Sequence, residues 1–279
     1  MEDPFFDKTV ANRLADTPEI VAADPRIGYT STPANARRHI LGIDHRIDRL
    51  TIVTIAPLDL AALLCSRVCH DVISPVGAIM NGLEVLDSEK DEDMRAVAMD
   101  LIKKSACSAS ARLQFCRLAF GAAGSLTAAI DTGDAENVAR GLIGNERTAL
   151  RWNAQRRLVP KNAVKLLLNL CLIAASAIPR GGVIAVELDG ECEAVTMRIE
   201  VTGTNARLPH SASIFLMGGS VETIDGHSIQ PYYTTLLARE CGMTIRASSS
   251  PDSVTLTVTP AALEGAIEER ATPGGTHMQ

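Results

Sequence analysis

Two long stretches of helical periodicity, separated by a short polar turn, limit what this chain can fold into. From Pro57 to Leu86, winding at roughly 100° per residue gathers Leu64, Val68, Val72, Pro75, Val76, Ile79, Leu83 and Leu86 on one side. From about Glu92 to Phe120, Met94, Val97, Ala98, Leu101, Ile102, Ser105, Ala109, Leu113, Phe115 and Leu118 recur at the same spacing. Asp87-Ser-Glu-Lys-Asp91 breaks the pattern and offers Ser88 or Asp91 as a cap, while Pro57-Leu58-Asp59 reads as a helix start with an acidic first turn. Two helices so joined form an antiparallel hairpin. A hairpin alone has apolar stripes with only each other for cover. Two copies close a four-helix bundle, which predicts a homodimer with twofold symmetry.

The first helix carries a single histidine, His70, opposite the apolar stripe. Its neighbours at helical spacing are Ser66, Arg67, Ser74 and Gly77, with Asn81 further along the same side. These side chains are small, polar or cationic, so the histidine lies open to a large partner and on the outside of the bundle. Pro75 sits five residues later, where a proline removes a backbone hydrogen bond and normally kinks a helix. Cys65 and Cys69 near His70 raise the possibility of a metal cluster, but the Cys65 direction falls on the apolar stripe, and inert buried thiols are the expectation. Adjacent His70 and Asp71 cannot form a linear hydrolase triad, and no Gly-x-Ser-x-Gly elbow is present.

Composition narrows the partner classes. A net charge of −6 leaves no basic footprint, which argues against nucleic acid and leaves proteins or small molecules. Seven cysteines without paired CxxC spacing suit a reducing compartment, and a cytoplasmic location is expected. The apolar run from Leu50 is interrupted by Pro57 and Asp59 before the ~20 residues that a spanning helix requires, and Glu2 and Asp3 stand where a signal peptide carries basic residues. No membrane association is expected.

The rest of the chain divides by pattern. Residues 1–55 read as a flexible extension, 56–124 as the hairpin domain for dimerisation, 125–262 as a second domain and 263–279 as a flexible tail. Within the second domain, Asp134 to Leu142 reads as a short helix, Thr148 to Trp152 as a strand, and Pro160 to Ile178 as a strongly apolar helix stopped by Pro179-Arg-Gly-Gly182. Val183–Leu188 and Ala194–Val201 form one hairpin around Asp189-Gly190. Met243–Ser248 and Val254–Val258 form another, after a helix from Ser228 to Cys241. The fold class is α+β: a helical hairpin, then helices layered on a mixed sheet as an α/β sandwich.

Cys69-His70-Asp71-Val-Ile-Ser74-Pro75 resembles the H-box of dimerising sensor histidine kinases, where Pro follows the phosphorylated histidine at this spacing. The stretch Leu58 to Ile79, together with Lys165 to Gly182 and Pro231 to Arg239, is similar to the ChpT family of histidine phosphotransferases over roughly residues 57–260. The second domain resembles a degenerate histidine-kinase ATP-binding (Bergerat-type) domain. Aligned on that family's motifs, Asn169 takes the first Asn of the N-box, Ile173 replaces the metal-binding Asn, and Val201-Thr-Gly-Thr-Asn205 replaces the adenine-binding acid motif. Gln230-Pro-Tyr-Tyr-Thr234 occupies the place of the phosphate-cradling Gly-rich loop, with only Gly218-Gly219 retained.

The resemblance implies a relay without ATP. His70 would accept a phosphoryl group from a receiver-domain aspartate and pass it to response-regulator aspartates. Asp71 would orient or activate the ring, Arg67 would stabilise phosphoryl oxygens or pair with an acidic receiver, and Ser66, Ser74, Gly77 and Asn81 would meet the partner. No cofactor is implied on this chain; Mg2+ belongs to the receiver. The implied donor is the receiver of a CckA-type hybrid kinase and the implied acceptors are CtrA-type and CpdR-type regulators, in cell-cycle control. The alternatives are a non-catalytic dimeric adaptor for receivers and an ATP-dependent histidine kinase.

Overall fold

The polar turn at Asp87–Asp91 does what its composition implies. In the computed structural model, whose described residues are 54–121, 128–190, 195–219, 221 and 223–261, it joins α1 (Pro57–Ser88) to α2 (Glu92–Ala119). The expectations for residues 1–53 and for the tail from 262 lie outside the described residues. Pro57 occupies the first turn of α1, where its missing N–H costs nothing, and Asp59 adds an acid at the positive end of the helix dipole. Asp91 caps α2 by accepting from the Met94 N–H at 3.0 Å. Arg95 ties the turn down by donating to the carbonyls of Leu86 and Glu89.

Small residues let the two helices approach. Ala98, Ser105 and Ala109 are buried on α2, and Pro75 and Gly82 are buried on α1. A Cβ added at Gly82 would stand 2.6 Å from Ile102 Cγ1 and 3.3 Å from the Ala98 carbonyl oxygen. The apolar side of α1 is wider than one stripe, and a single chain covers only part of it. Pro75 is buried and Leu64, Val68, Val72, Ile79 and Leu86 are partly covered, but Val76 and Leu83 are exposed alongside Ile73 and Met80.

Among the described residues eleven further elements follow: β1 (Ala129–Asp131), α3 (Thr132–Ile143), β2 (Thr148–Asn153), β3 (Leu158–Pro160), α4 (Lys161–Ala177), β4 (Gly182–Asp189), β5 (Thr196–Thr202), α5 (His210–Leu216), α6 (Ile229–Glu240), β6 (Met243–Ser250) and β7 (Ser253–Pro260). Five strands form a mixed sheet in the order β2-β4-β5-β7-β6, with β2 parallel to β4 and the other pairs antiparallel. Alternation sets its faces. Ile184, Val186, Leu188, Met197, Ile199, Val201, Val254, Leu256 and Val258 are buried in the core with α4, whereas Arg198 and Glu200 point to solvent on the other side. α4 is buried almost all round, which is why its sequence reads as apolar without a clear polar face.

Among the described residues the sandwich packs on the hairpin through α3 against the end of α2 and through two further contacts. Asn169 is fully buried on α4, and its side-chain amide donates to the carbonyls of Ala119 at 3.2 Å and Lys165 at 2.9 Å. A second apolar cluster packs Phe215, Ile229 and Tyr232 against Leu60, Leu63 and Leu64 of α1. Three elements had no expectation behind them. α5 is too short to show a period, and β1 and β3, which pair antiparallel from Ala129↔Pro160 to Asp131↔Leu158, have three residues each.

Candidate functional site

His70 stands on α1 with its side chain 81% exposed. Ser66, Ser74, Gly77 and Asn81 are exposed on the same helix, so the helical spacing that relates them to His70 puts an open, mainly polar side around the imidazole, edged by the exposed Ile73 at i+3. At Gly77 nothing lies within 4 Å of the Cβ that another residue would carry, which leaves a shallow, unobstructed surface one turn past Ser74. Pro75 has no N–H to bond the carbonyl of Asp71, yet α1 continues through it to Ser88.

Asp71 is adjacent in sequence and turned about 100° around the axis, which takes it toward the sandwich. Its two oxygens serve different partners. Oδ1 lies 3.6 Å from His70 Nδ1, and Oδ2 accepts from Arg67 Nε at 3.1 Å. Arg67 and Asp71 line a groove of about 300 Å³ between the hairpin and the sandwich, walled by Phe115, Cys116 and Phe120 of the α2 end and by Asn145 and Pro179. Burial, reinforced by the Asp71 charge, pushes the Cys116 thiol at the base of this groove up to about 11, so it stays a neutral wall. Arg67 is therefore not a freely solvated surface cation: it is partly buried and paired, because the sandwich shelters this side of α1.

Cys65 and Cys69 correct one expectation. Both are exposed rather than buried, since the part of the apolar surface they adjoin has no cover within one chain. Among the described residues no three His, Cys, Asp or Glu side chains come together as a metal cluster.

The residues aligned with a kinase nucleotide site have other employment. Ile173 and Val201 are in the core. Asn169 spends its amide on the end of α2, as above, and Gln230 Nε2 donates to its carbonyl at 2.9 Å. Gln230, Pro231 and Tyr232 are buried in the first turn of α6. The Gly218 and Gly219 N–H groups close the end of α5 by bonding the Phe215 and Ile214 carbonyls at 3.1 and 2.8 Å. Sequence reading missed the Arg67–Asp71 pair, although its i,i+4 spacing carries the signal. It also missed Asn145 and Pro179, which reach the groove only through the docking of the sandwich.

A helical pair that presents an exposed histidine and leads into an α/β domain fits the class of histidine phosphotransferases. Residues 132–253 match the family described as the histidine phosphotransferase C-terminal domain. The protein phosphotransferase ChpT of Brucella abortus (strain 2308) is 53% identical over 204 residues, covering 72% of this chain and 96% of that protein. A solved structure of a bacterial phosphotransferase superposes with a TM-score of 0.69 at 50% identity, over 74% of this chain and 98% of the other. The histidine kinase AdeS of Acinetobacter baumannii aligns at a TM-score of 0.38 and 10% identity, over 68% of this chain and 96% of that one. The chain belongs to the ChpT family of protein phosphotransferases.

Proposed function

We propose that His70 is the phosphorylated residue and that the protein relays phosphoryl groups between receiver domains without using ATP. The observation that carries the reading is the open imidazole on α1 with Asp71 Oδ1 beside Nδ1. A carboxylate at Nδ1 favours the tautomer with its proton there and leaves the Nε2 lone pair pointing outward. Nε2 attacks the phosphorus of an aspartyl phosphate, an N–P bond forms, the acyl P–O bond breaks, and the donor aspartate leaves as a carboxylate. The Nδ1 proton stays in place, and Asp71 balances the positive charge on the phosphorylated ring. An acceptor aspartate then attacks the phosphorus and Nε2 recovers its electron pair. Such transfer depends on positioning and charge stabilisation more than on covalent assistance.

Ser66, Ser74, Gly77 and Asn81 form the floor on which the receiver sits, and the receiver brings the magnesium ion. The donor is the receiver of a CckA-type hybrid kinase and the acceptors are CtrA-type and CpdR-type regulators, all in the cytoplasm. The burial of Ile173 and the capping use of Gly218-Gly219 support a domain that does not bind ATP. α1 is long and apolar enough by composition to cross a membrane. Its exposed apolar residues, Ile73, Val76, Met80 and Leu83, instead recur at alternating spacings of three and four, as do Met94, Val97 and Leu101 on α2. That is the seam of a coiled-coil bundle, and it supports a homodimer with the His70 faces outward.

Label transfer tests the reading. The protein is incubated with labelled ATP alone, or with a receiver domain already carrying labelled aspartyl phosphate, each repeated with His70→Ala. The expected result is acid-labile, base-stable label from the receiver alone and only with His70 present. Label from ATP alone would overturn the ATP-free relay, and binding of a proven donor without any transfer would identify an adaptor.

A further inference from the structure

We infer that Arg67 is a positioning residue for the phosphotransfer reaction, acting on His70 only through Asp71. The inference rests on His70 being the phosphorylated residue and adds a group that holds the site's geometry. Arg67 Nε donates to Asp71 Oδ2 at 3.1 Å, and the other oxygen, Oδ1, is the one that faces His70 Nδ1 at 3.6 Å. Each partner has its own oxygen, so the guanidinium fixes the carboxylate without competing for the edge presented to the imidazole. The second guanidinium of the groove, that of Arg112, is engaged elsewhere: its Nε donates to Ser108 Oγ at 3.4 Å.

Two further observations separate this arrangement from an ordinary surface pair. The side chains are 28% and 19% exposed against the apolar wall of Phe115, Cys116 and Phe120, so solvent screens them less than it does a pair on an open helix. The cation also precedes the anion along α1, the order that gains less helix stability. An aspartate side chain on a helix has more than one staggered rotamer. With Arg67 on Oδ2, the rotamer that turns Oδ1 to Nδ1 is held.

The test is a double-mutant cycle in single-turnover transfer from a labelled phosphoreceiver, using wild type, Arg67→Met, Arg67→Lys, Asp71→Asn and Arg67→Met/Asp71→Asn. Arg67→Met is expected to lower the limiting rate about 10- to 100-fold, the scale of a misplaced reacting group, with the half-saturating receiver concentration unchanged. Arg67→Lys restores part of the loss. In the Asp71→Asn background Arg67→Met is expected to change the rate by less than about twofold, since the cycle reports coupling between neighbours. Nitrogen-15 spectra of His70 without any receiver are expected to show the Nδ1–H tautomer in wild type and a shift toward Nε2–H in Arg67→Met. An equal loss in both backgrounds, or a raised half-saturation alone, would overturn the inference in favour of direct contact with the phosphoryl group or the receiver. An unchanged rate and tautomer in Arg67→Met would also overturn it. Wild type that takes no label from a proven donor would instead overturn the assignment of His70, a result distinct from all of these.

Discussion

The side-chain amide of Asn169 donates to the main-chain carbonyl of Ala119 at 3.2 Å, across 50 positions of sequence, and so fastens the sandwich to the end of the hairpin. A residue aligned with a nucleotide-binding asparagine thereby serves as a domain clamp. Asn169→Ala removes both of its donor bonds and strips a partner from the buried Gln230 amide. Leaving buried groups unpaired costs about 1–3 kcal/mol, so urea denaturation is expected to show that loss of stability. Transfer through His70, the proposed phosphorylated residue, should survive at temperatures where the variant is folded.

Gly82 and Gly77 lie on the same helix and respond oppositely to a side chain. A Cβ at Gly82 meets Ile102 Cγ1 at 2.6 Å, and overpacking of this kind costs about 1–3 kcal/mol, so Gly82→Val is expected to lower the denaturation midpoint. At Gly77 the Cβ finds open space, and Gly77→Ala should gain about 0.5–1 kcal/mol from reduced chain entropy and better helix propensity. The same substitution should weaken receiver docking, which a binding titration reads separately.

Ile73, Val76, Met80 and Leu83 are exposed in one chain, and the proposed bundle covers them. Met80→Glu places a charge in that seam, and burial of an unpaired charge opposes association strongly. Light scattering after gel filtration is expected to give a dimer for the wild type and a monomer for Met80→Glu. A wild-type mass of one chain would remove the bundle.

Acid should weaken the fold through carboxylates at turns and helix starts, Asp131 and Asp225 among them. Asp131 is held below the ordinary carboxylate range first by the Gly133 N–H, at 2.7 Å, and then by Arg156, while Asp225 is held there by the Ser228 hydroxyl and N–H. The unfolded chain then binds protons at higher pH than the folded one. The stability these groups confer is complete above the unfolded value, near 3.8, and is lost as the pH falls through the lowered folded values. Denaturation midpoints measured from pH 7 to pH 2 should drop in this window, and Asp131→Asn with Asp225→Asn should flatten the acid limb.

Much of this fold was legible because periodicity is a local property. The hairpin, α4 and the four antiparallel strands follow from apolar spacing and from turn residues such as Asp189-Gly190. Asp91 and Pro57 mark helix starts for reasons written in their own chemistry. α5 and the β1–β3 pair were not legible: a helix from His210 to Leu216 makes barely two turns, and three-residue strands have no alternation to read. The parallel pairing of β2 with β4 was also hidden, since it depends on α4 crossing between them.

The sequence by itself determined that His70 lies on the polar side of a long helix, with Asp71 next to it and Ser66, Ser74, Gly77 and Asn81 around it, because helical geometry fixes which residues share a face. Tertiary structure decided what those residues meet. Docking of the sandwich onto α1 and α2 turns Arg67 and Asp71 into the lining of a groove, uses up Asn169 and Gly218-Gly219 as structural contacts, and leaves Cys65 and Cys69 in the open. Such contacts join residues far apart in the chain, and no spacing within a single helix encodes them.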